Sequence, residues 1–435
     1  MPLSSDISFL IKYICKMTWI LLTLFIVGYF FIVIEYAIKI DKAATALIMG
    51  VLCWVAYAFL NPDPTILNHQ LNEHVGDIAG VLFFLIGAMT IVELIDIYEG
   101  FQLIIDKIKT TNKRTFLIIV TTIAFFLSAI LDNLTTAIVM STLISKIVSE
   151  RKDRLISIGM VVIAANAGGA WSPIGDVTTT MLWTGNQITA WGIIKTVFIP
   201  SLISCLVPLV FLLFKLKGNF APIDQPAKES VTNKDRRIIF FSGITLLMLV
   251  PVFKTITHLP PFMGMLLAVG IVWLISETLH KKKTETTHAP SSIFSALEKI
   301  DMPSILFFLG ILISVSALQS ANILKDIATF LSSKVNNDIA IVTGTGLLSA
   351  IFDNVPLVAA FQGMYSLAQY PTGHFFWNYL AFCSGTGGSI LIIGSAAGVA
   401  AMGIEKIEFF WYVKNISLAA LLGYITGAVA CILIG

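Results

Sequence analysis

The sequence predicts an all-α polytopic membrane protein built from two inverted five-helix repeats, each with a re-entrant helical hairpin and a broken transmembrane helix. Three observations support this prediction. Hydrophobic residues make up 57% of the 435 residues and charged residues only 12%, with a mean hydropathy of +0.88, values far from those of soluble globular domains. An Asp-Asn pair occurs twice within apolar runs, and glycine-rich segments interrupt two further apolar runs.

Ten apolar runs are long enough to span a bilayer, which takes about 20 helical residues. In chain order they cover residues 17–38, 43–60, 76–98, 155–185, 187–214, 238–253, 261–279, 302–320, 374–404 and 410–433. Two further apolar stretches, 115–149 and 339–370, each carry an Asp-Asn pair near the middle. Because a carboxylate is unfavourable in hydrocarbon, these two stretches are not expected to be simple spans.

The first of these stretches has basic residues on both flanks. They are Lys107, Lys109, Lys113 and Arg114 before it, and Lys146, Arg151, Lys152 and Arg154 after it. Cytoplasmic loops are enriched in Lys and Arg, so both flanks are expected on the cytoplasmic side. We therefore predict a re-entrant hairpin over 115–149 that turns at Asp132 and Asn133. This topology places most of the 28 basic residues in the cytoplasm.

Three motifs recur in the same order at nearly constant spacing, which indicates an internal duplication. "DIAGVLFFLIGAM" from Asp77 resembles "DMPSILFFLGILI" from Asp301, "LDN" at Asp132 matches "FDN" at Asp353, and "GGAWSPIGD" resembles "GGSILIIGS". Five spans separate equivalent points, so the two copies are predicted to have opposite orientations in the membrane. The second hairpin, 339–370, is then expected to enter from the outside.

These features divide the chain into four parts. They are an N-terminal extension (1–16), a first inverted repeat (17–216, with hairpin 115–149 and broken helix 155–185), a cytoplasmic linker (217–237) and a second inverted repeat (238–435, with hairpin 339–370 and broken helix 374–404).

The interruptions predict a binding site near the middle of the membrane. "NAGGAWSPIGDVTTT" from Asn166 and "SGTGGSILIIGSAAG" from Ser384 place glycines, and in the first case Pro173, inside a run of spanning length. Non-helical backbone at membrane depth is tolerated only where it is buried in protein or lines a polar cavity. In transporters with inverted repeats, such breaks meet near the midplane and form the substrate site.

Asp132, Asp176 and Asp353 place carboxylates in this predicted site. No Lys or Arg occurs between residues 115 and 145, 155 and 194, or 339 and 405. An Asp at mid-membrane costs ~3 kcal/mol or more unless its charge is compensated. A bound cation or a proton is the natural compensation here, and a carboxylate that holds either ion has the minimal chemistry of antiport.

Neutral oxygen donors accompany the three carboxylates, and small hard cations favour such ligands. The candidate ion- or proton-binding donors are Asn133, Thr135, Asn166, Thr178, Ser349, Asn354, Ser389 and Ser395, with Thr136 and Thr179 as accessory donors. We expect Na⁺ or Li⁺ at Asp132, Asp176 and Asp353. The net charge of +2 reflects basic residues scattered over loops, so no nucleic-acid partner is expected, and neither is a cofactor.

Helix capping is the alternative interpretation of the aspartates, since Asp is a favoured N-cap residue. Capping and ion binding are compatible at Asp132, Asp176 and Asp353. Asp77 and Asp301 stand at the predicted starts of equivalent helices, where capping is expected, and Asp301 is also a candidate accessory site. Glu93 is either a further proton site or a side chain that reaches towards the membrane interface.

At these motifs the chain resembles the NhaD-type sodium/proton antiporters of the ion transporter superfamily, which also contains divalent anion/sodium symporters. The likeness covers nearly the whole chain after residue 17. It is carried by "GVLCWVAYAF", "FFLIGAMTIVELID", "LDNLTTAIVM", "NAGGAWSPIGDVTTTMLW", "FDNVPLVAA" and "GTGGSILIIGSAAGVA". The glycine-tryptophan-proline-aspartate stretch is the most specific of these motifs.

This resemblance implies an inverted-repeat fold, a homodimer, and export of Na⁺ or Li⁺ in exchange for H⁺ at alkaline pH. It implies a functional role for Asp132, Asn133, Asn166, Asp176, Thr178, Ser349, Asn354, Ser389 and Asp301. We accordingly expect a secondary active antiporter that works by alternating access. Its expected location is the bacterial inner (plasma) membrane.

Two functions other than antiport are suggested by parts of the sequence, and both are disfavoured. A sodium-coupled symporter of an organic or oxyanion substrate is disfavoured, because the hairpin tips read Asp-Asn instead of the Ser-Asn-Thr of dicarboxylate symporters, and an acidic residue there repels a dicarboxylate. An intramembrane aspartyl protease is suggested by "PIGD" at Pro173. Such proteases carry a second aspartate in a Tyr-Asp motif, and no Tyr stands directly before an Asp in this chain. No enzymatic activity is therefore expected.

Overall fold

The computed structural model describes residues 19–60, 63–105, 108, 110–220, 232–281, 293–335 and 337–435. The predicted extension 1–16 and residues 221–231 of the predicted linker lie outside the described residues. Regular structure within the described ranges is helical, apart from an isolated antiparallel bridge between Asn112 and Asn219.

The described residues form a series of helices along the chain. They are α1 (Trp19–Val33), α2 (Glu35–Ile38), α3 (Lys42–Leu60), α4 (Pro64–Ile97), α5 (Gln102–Ile105), α6 (Lys113–Leu131), α7 (Asn133–Ile147), α8 (Arg151–Ala170), α9 (Val177–Thr184), α10 (Ala190–Leu213), α11 (Asn233–Thr257), α12 (Pro261–Lys281), α13 (Ile293–Lys299), α14 (Met302–Ser320), α15 (Ile323–Val335), α16 (Asp338–Leu348), α17 (Asn354–Met364), α18 (Phe375–Gly387), α19 (Ala396–Glu405), α20 (Phe409–Tyr412) and α21 (Leu418–Ile434). A short π-helical turn, Val413–Ser417, joins the last two.

Eight helices in the described part of the chain are long and apolar enough to cross a membrane. They are α3, α4, α6, α10, α11, α12, α14 and the continuous run Phe409–Ile434. Many of their large apolar side chains are exposed, which is expected of helices that face lipid. The chain is therefore an all-α polytopic membrane protein, as predicted, and the opposite orientation of its two halves stays a prediction.

The chain forms two compact units. Of the described residues, those between 19 and 82, Asp301–Asp338 and Val355–Tyr370 form the smaller unit. Those within Phe83–Ile300, Ile339–Asn354 and Pro371–Gly435 form the larger unit. In the smaller unit α3 packs against α14, and a Cβ on Gly50 would lie 2.8 Å from the Gly310 carbonyl oxygen. Small residues allow this close approach of two helix backbones.

In the larger unit, α8 is buried over most of its length and packs against α6, α7, α10 and α18. Helix α10 packs against α21, and α19 packs against α7 and α8. This arrangement brings the C-terminal ends of α8 and α18 together within one unit, where a Cβ on Gly385 would lie 3.2 Å from Ala170 Cβ. The breaks described next belong to the same helices.

All four predicted interruptions are breaks between helices. Asp132 separates α6 from α7, and residues 349–353 separate α16 from α17. Residues 171–176 separate α8 from α9, and residues 388–395 separate α18 from α19. Re-entry of α6–α7 and α16–α17 from opposite faces stays a prediction.

One capping prediction is wrong. Helix α4 begins at Pro64, well before the predicted span at residue 76, so Asp77 lies inside the helix and does not cap it. Proline is favoured in the first helical turn, and no other proline occurs between Pro64 and Ile97 to end the helix. Asp301 does cap its helix, because its carboxylate accepts a hydrogen bond from the Ser304 backbone N–H at 3.2 Å.

Candidate functional site

Asp176 lies at the centre of a buried polar network in the larger unit. It is the N-cap of α9, and its Oδ1 accepts hydrogen bonds from the Thr178 N–H and the Thr178 hydroxyl, both at 2.9 Å. The Thr179 hydroxyl oxygen accepts from the Asp176 N–H at 3.2 Å, which completes a capping box. Asp176 is only 1% exposed, so the helix terminus and these donors are its principal solvation.

Two asparagine amides donate to the same carboxylate. Nδ2 of Asn133, the first residue of α7, lies 2.7 Å from Asp176 Oδ2. Nδ2 of Asn354, the first residue of α17, lies 3.2 Å from Oδ2 and 3.3 Å from Oδ1. The two Asp-Asn breaks therefore meet at one aspartate of the first broken helix.

Asn166 extends this network to the second broken helix. Its Oδ1 accepts from Asn133 Nδ2 at 3.0 Å, while its own Nδ2 donates to the hydroxyl oxygens of Ser389 at 3.0 Å and Ser395 at 2.8 Å. Asn166 is fully buried in α8, and Ser395 caps α19 by accepting from the Gly398 N–H at 3.2 Å. Side chains from all four helix breaks thus belong to a single hydrogen-bonded cluster.

Asp132 occupies a strained backbone position beside this cluster. Its φ is 110°, a region that residues other than glycine rarely adopt. Its carboxylate accepts from the Thr135 N–H at 2.7 Å and from the Thr135 hydroxyl at 2.9 Å, so it caps α7. Asp132 and Asp353 are half-buried, and both interact electrostatically with Asp176.

Equivalent residues of the two halves make equivalent backbone contacts. The Ser128 hydroxyl donates to the Ala165 carbonyl oxygen at 2.6 Å, and the Ser349 hydroxyl donates to the Ser384 carbonyl oxygen at 2.7 Å. In each case a serine next to a hairpin break holds the broken helix just before its own break.

Glycines allow the same two segments to approach closely. A Cβ on Gly168 would lie 2.1 Å from the Phe125 carbonyl oxygen, and a Cβ on Gly387 would lie 1.9 Å from the Gly346 carbonyl oxygen. No real Cβ fits at such distances, so these two positions require glycine. The paired glycines keep the helix ends close enough for the side chains beyond them to meet.

The central aspartate has no salt bridge to a basic side chain within the part of the chain that the structure describes. In the described ranges, the salt bridges found involve neither Asp132 nor Asp176. No three His, Cys, Asp or Glu side chains among those residues lie close enough to bind one metal ion together. A cation at Asp176 would therefore be bound by one carboxylate and by neutral amide and hydroxyl oxygens, which suits a small hard monovalent ion.

The structure brings together most of the sequence-predicted site residues. Those in the hydrogen-bonded cluster are Asn133, Asn166, Asp176, Thr178, Thr179, Asn354, Ser389 and Ser395. Thr135 binds Asp132, and Ser349 binds backbone. Thr136 is fully buried nearby in α7, and its hydroxyl has no hydrogen-bond partner in the described structure.

Two predicted accessory residues lie elsewhere. Glu93 is half-buried in α4, and its electrostatic neighbours are Asp96 and Lys299. Asp301 lies in the smaller unit, where it caps α14. Within the described ranges, Glu93 forms no hydrogen bond with the cluster around Asp176.

Sequence reasoning missed three supporting residues. Besides Ser128, they are Ser172, whose hydroxyl donates to the Ala129 carbonyl oxygen at 2.5 Å, and Tyr412, whose hydroxyl donates to the Ser389 carbonyl oxygen at 2.9 Å. Ser128 had a usable signal, because aligning the two halves places it opposite Ser349. The other two contacts depend on how distant segments pack, and no local motif indicates them.

The chain is similar to known transport proteins over most of its length. Residues 29–379 match the family model CitMHS, described as citrate transporter. Sodium/proton antiporter 1 of Arabidopsis thaliana is 45% identical over 410 residues, covering 94% of this chain and 71% of that protein. The Na⁺/H⁺ antiporter NhaD of Vibrio cholerae serotype O1 is 30% identical over 451 residues, covering 95% of this chain and 91% of that protein.

A solved structure shares the fold. The Alcanivorax borkumensis YdaH transporter aligns with a TM-score of 0.59 over 91% of this chain and 98% of that chain. The two sequences are 13% identical, so this likeness concerns the fold alone.

Proposed function

The chain belongs to the citrate transporter family and, within the ion transporter superfamily, to the NhaD-type sodium/proton antiporters, and on this premise we propose that it exports Na⁺ or Li⁺ in exchange for H⁺. Its relatives are transporters, so the chain is a transporter and not an enzyme. The proposed exchange is secondary active, by alternating access to a site near the middle of the membrane.

The observation that supports this proposal most directly is the environment of Asp176. Its carboxylate is almost fully buried and is surrounded by amide and hydroxyl groups. Burying an ionised carboxylate without a cationic partner costs several kcal/mol. The cost of placing a charged side chain at the middle of a membrane is of about the same order. Binding of Na⁺ or of a proton removes this penalty, which makes the two ions alternatives at one carboxylate.

The asparagines give the site a way to accept either ion. The NH₂ groups of Asn133 and Asn354 donate to the Asp176 oxygens, an arrangement that suits an ionised carboxylate. A side-chain amide carries a carbonyl oxygen on the opposite side, so rotation about its last bond presents an acceptor to a cation. We therefore assign Na⁺ coordination to Asp176 with the oxygens of Asn133, Asn354 and Thr178.

Asp132 and Asp353 are assigned to the proton or to a second cation. Each lies between the two helices of its predicted hairpin and directly precedes one of the asparagines that contact Asp176. Each also interacts electrostatically with Asp176. A cation at Asp176 therefore favours proton release from Asp132 and Asp353, because a nearby positive charge stabilises an ionised carboxylate. This coupling links occupation by Na⁺ to loss of H⁺.

Ser128 and Ser349 make equivalent contacts in the two halves, and so do Gly168 and Gly387, which supports the proposed duplication. Two structurally equivalent halves in opposite orientations would allow one site to open to either face by the same rearrangement. We further propose, from the resemblance, that the protein is a homodimer in the inner membrane of a bacterium.

The description of the matching family favours one alternative, a sodium-coupled symporter of a carboxylate anion such as citrate. Everted membrane vesicles with a preformed proton gradient separate the two functions. Antiport predicts that Na⁺ and Li⁺ dissipate the gradient, that K⁺ does not, and that the Asp176→Asn variant is silent. Citrate uptake that requires Na⁺, without any effect of Na⁺ on the proton gradient, would overturn antiport in favour of symport.

A further inference from the structure

The C-terminal end of α9, the short helix capped by Asp176, is held by a lysine. The Lys254 ammonium, near the end of α11, donates to the Trp183 carbonyl oxygen at 2.6 Å. It also lies 3.3 Å from Asn186 Oδ1 and 4.8 Å from the centre of the Trp183 ring. The ammonium group thus contacts a backbone carbonyl, a side-chain amide and an aromatic ring at the C-terminal end of α9.

This contact is suited to fixing the position of α9. The last carbonyl groups of a helix lack intrahelical partners and carry a partial negative charge, so a cation there is stabilising. Helix α9 has eight residues and is therefore ~12 Å long. Trp183 in its last turn and Asp176 at its N-cap therefore lie on one short helical segment.

Lys254 extends from α11, which packs with α12 and α4. Helix α11 packs against α12, and a Cβ on Gly243 in α11 would lie 2.8 Å from Ile95 Cδ1 in α4. From the same group, the Phe84 ring in α4 meets the Trp183 ring edge-on, with ring centroids 6.4 Å apart. Trp183 is 2% exposed, so it is the buried point at which α9 meets α4 and α11.

We propose that Lys254 is a positioning residue for ion exchange, which holds the C-terminal end of α9 in one access state and releases it in the other. The proposal rests on the function proposed above. A site that opens to each face in turn requires the helices around it to move, and a contact made in only one state stabilises that state. Lys254 would then set the balance between the two states without touching the transported ion.

The Lys254→Met variant tests this role because it keeps the apolar length of the side chain and removes the ammonium. A hydrogen bond to a charged group contributes enough to shift a two-state equilibrium about tenfold. We expect the apparent Na⁺ KM to change in opposite directions at the two faces, by up to about tenfold, when inside-out and right-side-out vesicles are compared. Damage to the fold would instead lower the rate from both faces alike.

Two variants serve as controls. Lys254→Arg retains a cation that can donate to the same carbonyl and should keep both KM values near those of the wild type. Lys195→Met removes an exposed lysine of α10 and should also leave both values unchanged. A Lys254→Met variant with unchanged KM at both faces, or with an equal loss at both faces that Arg fails to rescue, would overturn the positioning role.

Amide hydrogen exchange tests the contact independently of transport. Lys254→Met should speed exchange of the amides at residues 183–188, and Lys195→Met should not. Unchanged protection there would overturn the anchoring of α9 even if exchange activity were altered. A wild-type protein that moves no Na⁺ would instead refute the proposed function, and the protection of 183–188 would still decide whether Lys254 holds the helix.

Discussion

Asn354 donates its side-chain amide to both carboxylate oxygens of Asp176, at 3.2 and 3.3 Å. The two residues come from opposite halves of the chain, one opening α17 and the other capping α9. The solvation of the central carboxylate therefore depends on both halves being folded around it. This dependence makes each contributor to the site open to test by substitution.

Removing the charge of Asp176 tests the ion site. Asp176→Asn keeps the size of the side chain and an oxygen that can cap α9, but it cannot neutralise a cation. We expect Na⁺-driven dissipation of the proton gradient to fall at least about tenfold, a change of ~1.4 kcal/mol or more in ion stabilisation. Asp326→Asn, an exposed carboxylate in α15, is the control and should behave as wild type. Normal exchange by Asp176→Asn would rule out this carboxylate as the ion site.

The backbone strain at Asp132 should lower the stability of the fold, while its carboxylate should be needed for ion exchange. Asp132→Gly relieves the positive φ, while the loss of its cap at α7 costs only a few tenths of a kcal/mol relative to a polar cap. We expect the free energy of unfolding to rise by about 1 kcal/mol while Na⁺/H⁺ exchange is lost. Thermal unfolding in detergent and vesicle exchange measure the two effects.

The matched substitution Asp132→Asn separates strain from charge. Asparagine keeps a side chain at the same backbone position, so it should lower exchange without raising stability. If Asp132→Gly destabilises the protein by more than Asp132→Asn, the strain attributed to this position is refuted.

The paired glycines should be equally intolerant of a methyl group. Gly168→Ala and Gly387→Ala each force a Cβ against a backbone carbonyl, so both should prevent stable folding or strongly lower the thermal midpoint. Gly270→Ala in α12 and Gly403→Ala in α19 are controls, because a Cβ there meets nothing within 4 Å. Fluorescence-detected size-exclusion chromatography compares all four. A well-folded Gly387→Ala protein would argue against the close approach of α18 and α16.

A half-buried ion pair should stabilise the fold away from the site. Arg154 Nε lies 2.7 Å from Glu405 Oε2, and the Ser145 hydroxyl donates to the same carboxylate, so α7, α8 and α19 are held together. We expect Glu405→Gln to lower the free energy of unfolding by about 1–3 kcal/mol, between the values for exposed and buried pairs.

The exchanged pair is the informative control for this contact. Arg154→Glu combined with Glu405→Arg restores opposite charges and should recover part of the lost stability, as seen in a double-mutant cycle. Strictly additive losses in the double variant would show that the two side chains do not interact.

The sequence was sufficient for the features that depend on local chemistry. Asp132, Pro173 and the glycines around residue 168 predicted breaks in apolar helices, because backbone interruption has local causes. The oxygen donors were recognisable by residue type near those breaks. What local chemistry could not supply was the pairing, such as the donation from Asn166 to Ser389 and Ser395.

Residues outside the breaks were harder to interpret. Apolar composition predicts a helix start at Asp77, yet the polar residues after Pro64 belong to the same helix. The sequence does not indicate the contacts of Lys254, since its partners Trp183 and Asn186 come from a distant segment. Tertiary packing decides both cases, and apolar periodicity carries no information about it.

Ser395 stands in the second half where Asp176 stands in the first, and both cap a short helix at a break. Equivalent positions of the two halves therefore differ in charge. Of these two helix starts, the one at Asp176 presents a carboxylate to the buried cluster and the one at Ser395 presents a neutral hydroxyl. The electric field at the centre of the site is consequently asymmetric, with its negative end on the side of the first broken helix.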